Sequence, residues 1–384
     1  MLGFLCKLLT LVERMDHTER VNPLLSRIPY MPGFDPDAVL EAQPIESGIS
    51  GSRLVRVTLR GNDRHVLKPV LPEEGWLGAA SADTRVREAA LWESGLLRAL
   101  PPAIETAITT VARDAGTGEA WLVMRDVRSR LQPDPFHAPP GRHPRMITRL
   151  LRALAHLHAA FWNDARLRDP ALGLMRAREA LLLISPEKID ARLAAGDANP
   201  YLPLARDGWE AFFRLARPED GQTLRGVLAK PEPWLVAIER LPVTLAHGDI
   251  WGPNLAWLPA TTRAPRRGTR PLLLDWALAT AGPATYDPLW LCGNWHTLDP
   301  VHVLAVYRAH LTRALYAHGI RLAPDIWRGL ADAGYLRTAL TCGEAFGRAA
   351  TEAPPGAARA RAEARLRWWA ARATLAARRL AAEV

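Results

Sequence analysis

The chain contains little cysteine and little lysine for its length. Its 384 residues include three cysteines, which are odd in number and widely spaced at Cys6, Cys292 and Cys342. This usage excludes a disulfide framework and a cysteine-rich metal centre, and it favours a reducing, cytoplasmic location. Lysine is so scarce beside arginine that a lysine among apolar neighbours, such as Lys68, needs a specific explanation.

A long hydrophobic run is also missing. The apolar opening, residues 1–14, is too short to span a bilayer and is interrupted by Lys7. It lacks the small-residue cleavage site of a signal peptide. We therefore expect no membrane span, and we interpret the segment either as an overhang before a start at Met15 or as a small extra helix.

The net charge of +9 is concentrated in arginine, which clusters chiefly near the C-terminus. In that stretch Leu366, Trp369, Ala373 and Leu380 recur at helical spacing. The pattern predicts an amphipathic terminal helix with a solvated basic face. We accordingly expect no nucleic-acid partner, although a basic charge balance by itself permits one.

The first third of the chain is typical of a small α+β unit. Alternating or apolar runs predict strands, and a run bounded by Asp83 and by Pro101-Pro102 predicts one helix. The predicted strands are 55–60, 65–70, 106–113 and 120–124, and the predicted helix is 83–100. We expect residues 1–127 to form an N-terminal lobe.

Beyond Asp126 a helical period dominates. A Pro-rich loop covers 132–144, and the predicted helices include 147–162, 205–216, 301–318 and 325–350. The strand-like exceptions are 243–246, 254–258 and 271–275, with 260–270 as the tip of a hairpin. We expect residues 128–384 to form a larger, mainly helical lobe.

Those strand-like exceptions bracket a polar motif, HGDIWGPN, followed by LLLDWA. Asp249 and Asn254 lie five positions apart, and Asp275 ends an apolar run. A carboxylate can accept or orient a hydroxyl proton, and a carboxamide with a second carboxylate can hold Mg²⁺. A turn aspartate and an Asx-turn are the simpler explanations of the first two residues. Asp275 needs a positive partner because an unpaired buried carboxylate is costly.

This spacing is similar to the H-R-D-x-x-x-x-N and later D-F-G of protein kinases. The chain resembles the aminoglycoside phosphotransferase and choline kinase-like family of small-molecule kinases. The resemblance implies an α+β, protein-kinase-like two-lobed fold, with a mostly antiparallel N-lobe and a mainly helical C-lobe. It implies ATP and Mg²⁺ as cofactors, and transfer of the γ-phosphate to a hydroxyl of a small molecule. The alternative is an inactive, nucleotide-binding regulator.

The resemblance also implies roles for the matching residues. Asp249 orients the acceptor hydroxyl, and Asn254 and Asp275 hold Mg²⁺. His247 holds the loop through backbone hydrogen bonds, with a role as general base as its alternative. Gly248 in place of the arginine of H-R-D, and Trp276 after the metal aspartate, distinguish the chain from protein kinases.

On the nucleotide side, the resemblance implies that Lys68 contacts the phosphates and that Glu88 pairs with it. Glu93, on the same predicted helix, is the competitor for that pairing. Backbone groups where the lobes join would contact the adenine edge, at Met124 and Asp126. A small, hydroxyl-rich loop would cover the phosphates through Ser47, Gly48, Ser50, Gly51 and Ser52.

Several further residues have two interpretations. Asp287 in YDPLWL matches an element that braces the catalytic loop, or it caps a helix. His156 and His158 have no partner at metal-binding spacing, which favours packing. Three tryptophans, Trp251, Trp290 and Trp295, either form a cage for an amine or fill the core. The acidic candidates for an acceptor site are Asp207, Glu210, Glu219, Asp220 and Asp299.

Overall fold

The computed structural model describes residues 28–45, 53–131, 143–259 and 269–383. The predicted phosphate-covering loop therefore lies outside the described residues, as do the opening segment 1–14, most of the Pro-rich loop and most of the hairpin tip.

The N-terminal part is built on a five-stranded antiparallel sheet in the order β1-β2-β3-β6-β5. Its strands are β1 (Val39–Ile45), β2 (Leu54–Leu59), β3 (Arg64–Val70), β5 (Ile108–Arg113) and β6 (Ala120–Arg125), and the short β4 (Glu105–Thr106) lies outside this sheet. Trp121 and Val123 of β6 join a small outer core with Met31 and Phe34. The alternate residues of β6 enter the main core, so this strand is buried on both faces.

The predicted helix 83–100 is wrong in its extent. Within this range the structure has one short helix, α2 (Arg87–Glu93), and a second short helix, α1 (Gly75–Ala80), precedes the range. Val86, directly before α2, has a left-handed backbone with φ of 48°, which no helix can continue through. Gly95, with φ of 80°, lies just beyond the other end. Val86, not Asp83, is the N-cap of α2, but the Asp83 carboxylate accepts from the Arg87 N–H at 2.8 Å.

The C-terminal part is mainly helical and confirms the predicted two-lobed α+β arrangement. Its helices are α3 (His143–Ala160), α4 (Ala177–Leu181), α5 (Pro186–Ala194), α6 (Tyr201–Leu215), α7 (Pro218–Ala229), α8 (Glu232–Glu239), α9 (Tyr286–Asn294), α10 (Pro300–Ala317), α11 (Pro324–Glu352) and α12 (Ala357–Ala381). The division of the chain at residue 127 stays a prediction.

Four short strands lie within this helical part. They are β7 (Thr244–Ala246), β8 (Leu255–Leu258), β9 (Arg270–Leu273) and β10 (Thr280–Gly282). β7 pairs with β10 and β8 with β9, both antiparallel, while β4 from the N-terminal part pairs parallel with β9. Glu105 of β4 reinforces this joint by contacting both Arg125 and Arg270. The two lobes therefore share main-chain hydrogen bonds.

The terminal helix α12 is amphipathic, as predicted, and Leu366, Trp369, Ala373 and Leu380 are buried. Its basic face is only partly solvated, because several arginines bind the protein itself. Arg365 donates to the carbonyls of Cys292 and His296, Arg367 donates to the Leu215 carbonyl, and Arg372 lies over Tyr335 and Trp368. Much of the C-terminal charge thus serves to attach the helix.

Within the described ranges, no helix has both the length and the apolar character that crossing a bilayer requires. Cys292 and Cys342 are buried, free thiols.

Candidate active site

The HGDIWGPN motif begins at His247, directly after β7 ends at Ala246. Gly248 has φ of 84°, and a Cβ on it would lie 1.9 Å from the Leu278 carbonyl oxygen. Only glycine fits this position, because any side chain would be strained and would collide with backbone. The loop can therefore lie directly against the segment that follows Asp275.

Asp287 of α9 holds this loop from beneath. Its carboxylate accepts from the N–H groups of His247, at 2.9 Å, and Gly248, at 2.8 Å. His158 donates to the same carboxylate from Nε2 at 3.0 Å, and its Nδ1 meets the Tyr307 hydroxyl. Although burial opposes ionisation, the His158 hydrogen bond and charge lower the pKa of Asp287. The predicted bracing role of Asp287 is confirmed, and His158 proves to be part of that brace.

His247 is fully buried and makes two hydrogen bonds to backbone. Its Nε2 donates to the Leu274 carbonyl at 2.9 Å, and its Nδ1 accepts from the Asp249 N–H at 3.2 Å. Burial lowers the pKa of His247, which favours the neutral ring. Because both ring nitrogens are occupied, this arrangement supports loop positioning and argues against a general base.

Asp249 is held at both carboxylate oxygens. Trp290 donates from its indole Nε1 to Oδ1 at 3.0 Å, and Asn254 donates from Nδ2 to Oδ2 at 2.7 Å. Burial, followed by the charge of Asp275, raises the pKa of Asp249 to about 7. A carboxylate with that pKa can accept a hydroxyl proton near neutral pH.

Arg337 of α11 supports the same loop, although no sequence pattern singled it out. Its Nη2 donates to the Gly248 carbonyl at 2.9 Å, and its guanidinium lies 4.7 Å from the Trp290 ring centroid. The residue is completely buried. Trp290 is thus fixed between a buried cation and the Asp249 carboxylate.

Asn254 and Asp275 are brought together by the β8–β9 hairpin. Asn254 ends a short 3₁₀ turn, not the start of a strand as predicted, and its carbonyl accepts from the Leu274 N–H at 3.0 Å. Its amide N–H groups bond the Asp249 carboxylate and carbonyl, which leaves the carboxamide oxygen for a metal. The Asp275 side chain is 36% exposed, with a left-handed backbone at φ of 58°.

This pair of oxygen donors fits Mg²⁺. Among the described residues no group of three or more His, Cys, Asp or Glu side chains could form a complete metal cage. Mg²⁺ commonly binds through one or two carboxylates together with substrate phosphates and water. Asn254 and Asp275 would hold such an ion, and its charge would neutralise the phosphates.

Lys68 of β3 contacts one carboxylate from each lobe. Lys68 Nζ lies 2.5 Å from Glu88 Oε2 and 3.0 Å from Asp275 Oδ1. Despite burial, the charges of Asp275 and Glu88 raise the pKa of Lys68, and Lys68 in turn lowers the pKa of Asp275. Glu88 also accepts from the Trp276 N–H at 3.0 Å. Glu93, which is exposed, instead pairs with Arg113, so the preference for Glu88 as the partner of Lys68 is confirmed.

A pocket opens beside this charge cluster and has walls from both lobes. Apolar side chains line much of it, including Val70, Leu71, Leu77 and Leu278, together with Lys68 and Asp275. The cluster is therefore reachable by a ligand while Lys68 itself is only 5% exposed.

The proposed adenine-contacting segment lies at the end of β6. The Asp126 N–H donates to the Arg64 carbonyl at 3.3 Å, and its carboxylate pairs with Arg56 at 2.8 Å. These groups tie β6 to its neighbours. Adenine contact by Met124 and Asp126 stays a prediction.

Trp251, Trp290 and Trp295 do not form a cage for an amine. Trp290 and Trp295 are buried at 6% and 4% exposure, and Arg337 lies over the Trp290 ring. Only Trp251 is half-buried. Of the acidic candidates, Asp299 caps α10 by accepting from the Val301 N–H, and Asp220 is buried within α7. Asp207, Glu210 and Glu219 are exposed on α6 and α7, and none of the five acidic candidates lines the pocket beside Lys68.

Known proteins resemble the chain in sequence and in fold. The model of the phosphotransferase enzyme family matches residues 41–323, well over half of the chain. A choline kinase from Cryptosporidium parvum Iowa II is similar over 92% of this chain and 95% of its own, at 10% identity and a TM-score of 0.52. An amicoumacin kinase solved with AMP-PNP, Ca²⁺ and Ami is similar over 93% of both chains, at 12% identity and a TM-score of 0.51.

A choline/ethanolamine kinase family protein from Mesorhizobium loti covers 94% of this chain and 99% of its own, at 17% identity and a TM-score of 0.46. No curated protein matches the chain. The two similarities above a TM-score of 0.5 show that the fold is kinase-like.

Proposed function

The chain belongs to the phosphotransferase enzyme family, and we propose that it transfers the γ-phosphate of ATP, with Mg²⁺, to a hydroxyl group of a small molecule. One observation carries this proposal: Lys68, Glu88 and Asp275 form a buried charge cluster beside the loop that presents Asp249 and Asn254. Phosphoryl transfer depends mainly on positioning and charge neutralisation, and these residue types supply both.

On the phosphate side, Lys68 contacts the nucleotide phosphates while Glu88 keeps its ammonium in place. Asn254 and Asp275 hold Mg²⁺, which neutralises the phosphate oxygens when bound. We propose further phosphate contacts from the loop that contains Ser47, Gly48, Ser50, Gly51 and Ser52. Backbone groups at Met124 and Asp126 would contact the adenine edge.

On the acceptor side, Asp249 orients the attacking hydroxyl and accepts its proton. The raised pKa of this carboxylate supports the role, because proton transfer is efficient when the pKa lies near the working pH. Trp290 and Asn254 fix the carboxylate so that it meets the hydroxyl in one orientation.

The acceptor class proposed here is an amino sugar, a choline-like alcohol or a similar hydroxylated compound. The support is the fold shared with a choline kinase and an amicoumacin kinase. A reducing, cytoplasmic location is also part of the proposal, because cysteine is scarce in the sequence.

A coupled ADP-release screen tests the proposal. The purified protein is incubated with ATP and Mg²⁺ and with amino sugars, choline-like alcohols, homoserine-like amino acids and macrolides in turn. We expect release above the acceptor-free rate for one class, and loss of that release in EDTA. Binding of ATP·Mg²⁺ without turnover on any class would favour the inactive regulator instead.

A further inference from the structure

Arg87, the first residue of α2, has no role in the proposed chemistry, yet its side chain is completely buried. Its guanidinium donates to three main-chain carbonyls, two of which belong to distant parts of the chain. The acceptors are Gly173 at 2.5 Å, Ser81 at 3.0 Å, and Ala277. Arginine suits this task because its planar fork presents five donors in fixed directions, which a lysine ammonium does not.

Ala277 lies two residues after Asp275, so the contact reaches the metal loop, defined here as Asp275–Ala277. Three successive residues of that loop are held by β3 and α2. Lys68 contacts the Asp275 carboxylate, Glu88 accepts from the Trp276 N–H, and Arg87 donates to the Ala277 carbonyl. The metal loop is therefore held by three side chains, those of Lys68 and Glu88, which pair with each other, and that of Arg87.

The backbone on both sides of these contacts is strained. Val86, directly before Arg87, has φ of 48°, and Asp275 has φ of 58°. A β-branched residue in the left-handed region is a true outlier, and such strain persists only where surrounding contacts determine the conformation. Arg87 supplies such contacts, since it connects α2 to the metal loop and to Gly173 in the helical part.

We propose that Arg87 is a positioning residue, which holds Lys68, Glu88 and Asp275 in their assembled arrangement before any nucleotide binds. The inference rests on the proposed function in one respect, namely that the ligand is ATP·Mg²⁺. Arg87 acts through the metal loop and through Glu88, and it does not touch the ligand. Without it, the loop loses its third attachment and Asp275 is no longer fixed for the metal.

The first test is nucleotide affinity, measured by calorimetry on the full chain with ATP and Mg²⁺. We expect Arg87→Met to weaken binding by about 10–100-fold, the usual effect of removing a partner that orients a metal ligand. The control is Arg113→Met, which removes the arginine that pairs with the other glutamate of α2 and donates to the Arg85 carbonyl, and which has no contact with the metal loop. It should leave affinity within about twofold, as expected of an exposed ion pair. With ATP in EDTA, the effect of Arg87→Met should shrink, because Asp275 acts through the metal.

The second test uses the nucleotide-free protein and follows amide hydrogen exchange in α2 and the metal loop. Exchange of the metal loop should be faster in Arg87→Met and unchanged in Arg113→Met. If the wild-type protein failed to bind ATP·Mg²⁺, the proposed function would be wrong, and exchange would still decide the role of Arg87.

Arg87→Lys keeps the buried charge and guards against simple unfolding of the methionine variant. We expect it to lie between wild type and Arg87→Met in both measurements. A folded Arg87→Met, or Arg87→Lys if the former does not fold, with wild-type affinity and wild-type exchange would overturn the proposal.

Discussion

The two halves of the candidate site are held together in different ways. The phosphate half, Lys68, Glu88 and Asp275 with Arg87, joins elements from both lobes through direct charge contacts, and 207 positions separate Lys68 from Asp275. The acceptor half consists of Asp249 and the two groups that hold its carboxylate, the Trp290 indole N–H and the Asn254 amide N–H, and it lies in the C-terminal lobe. Its carboxylate receives hydrogen bonds from neutral groups and has no ion-pair partner within the described residues.

This difference is one of charge compensation. In the phosphate half a lysine lies against two carboxylates, so each charge has an opposite neighbour, although burial still raises the pKa of Glu88. In the acceptor half, burial raises the pKa of Asp249 because the ionised form is poorly compensated. Removing one partner from the phosphate half should therefore leave a poorly compensated buried charge and cost stability, whereas removing the Asp249 charge should raise stability and lower turnover.

The largest expected effect is on turnover in the acceptor half. Asp249→Asn should lower kcat by about 10²–10⁴-fold, the range for removing a positioned general base. Affinity for ATP·Mg²⁺, measured by calorimetry, should stay within a fewfold of wild type, since Lys68 and Asp275 are untouched. Near-normal turnover on an acceptor found by the screen would show that Asp249 does not have the role proposed here.

The next effect concerns stability in the phosphate half. Glu88→Gln removes one partner of a buried pair, and such changes cost about 3–5 kcal/mol. Because Lys68 keeps Asp275 as a partner, we expect about 3 kcal/mol by urea unfolding. Glu93→Gln, on the same helix but exposed, is the control and should change stability by less than about 1 kcal/mol. Equal effects of the two substitutions would contradict the comparison.

A smaller effect on turnover is expected for Trp290, and it should not occur for a tryptophan that has no contact with Asp249. Trp290→Phe keeps a ring under Arg337 but removes the donor to Asp249, so kcat should fall about tenfold, the value of one hydrogen bond to a charged group. The KM for ATP should be unchanged. Trp234→Phe removes an indole hydrogen bond to the Ala377 carbonyl far from the loop, and it should leave kcat unaltered. A similar loss in both variants would indicate a general packing effect.

The smallest effect is a pH-dependent gain in stability. In the metal-free protein the pKa of Asp249 is raised from 3.8 to about 7. The protonated carboxyl therefore contributes its full share to the free energy of unfolding below the pKa that Asp249 has in the unfolded chain. That contribution is lost as the pH rises through 7. Asp249→Asn does not titrate, so its Tm relative to wild type in EDTA should be higher at about pH 8 than at about pH 5. A constant difference would mean that the Asp249 charge is compensated after all.

The sequence indicated the acceptor half better than the phosphate half. His247, Asp249 and Asn254 lie in one loop, so their spacing survives folding almost unchanged. The pairing of Lys68 with Glu88 came from family resemblance, and the choice between Glu88 and Glu93 depended on the direction of two side chains on one helix. The predicted helix 83–100 was wrong because Val86 is left-handed where α2 contacts the metal loop.

Residues that act at long range gave no sequence signal. Arg337 lies 89 positions from Gly248, and Arg87 lies 190 positions from Ala277. Neither lies in a motif, and both resemble the many other arginines of this chain. Trp290 could be noticed, but its indole donor became meaningful only when Asp249 was found within 3.0 Å.

The sequence by itself determined the two-lobed fold class and the loop that carries Asp249, because hydrophobic periodicity and motif spacing are local properties. Only the tertiary structure decided which charges meet and which buried arginines hold the loops. A long-range contact depends on how helices and strands pack against one another, and local patterns along the chain do not reveal that packing.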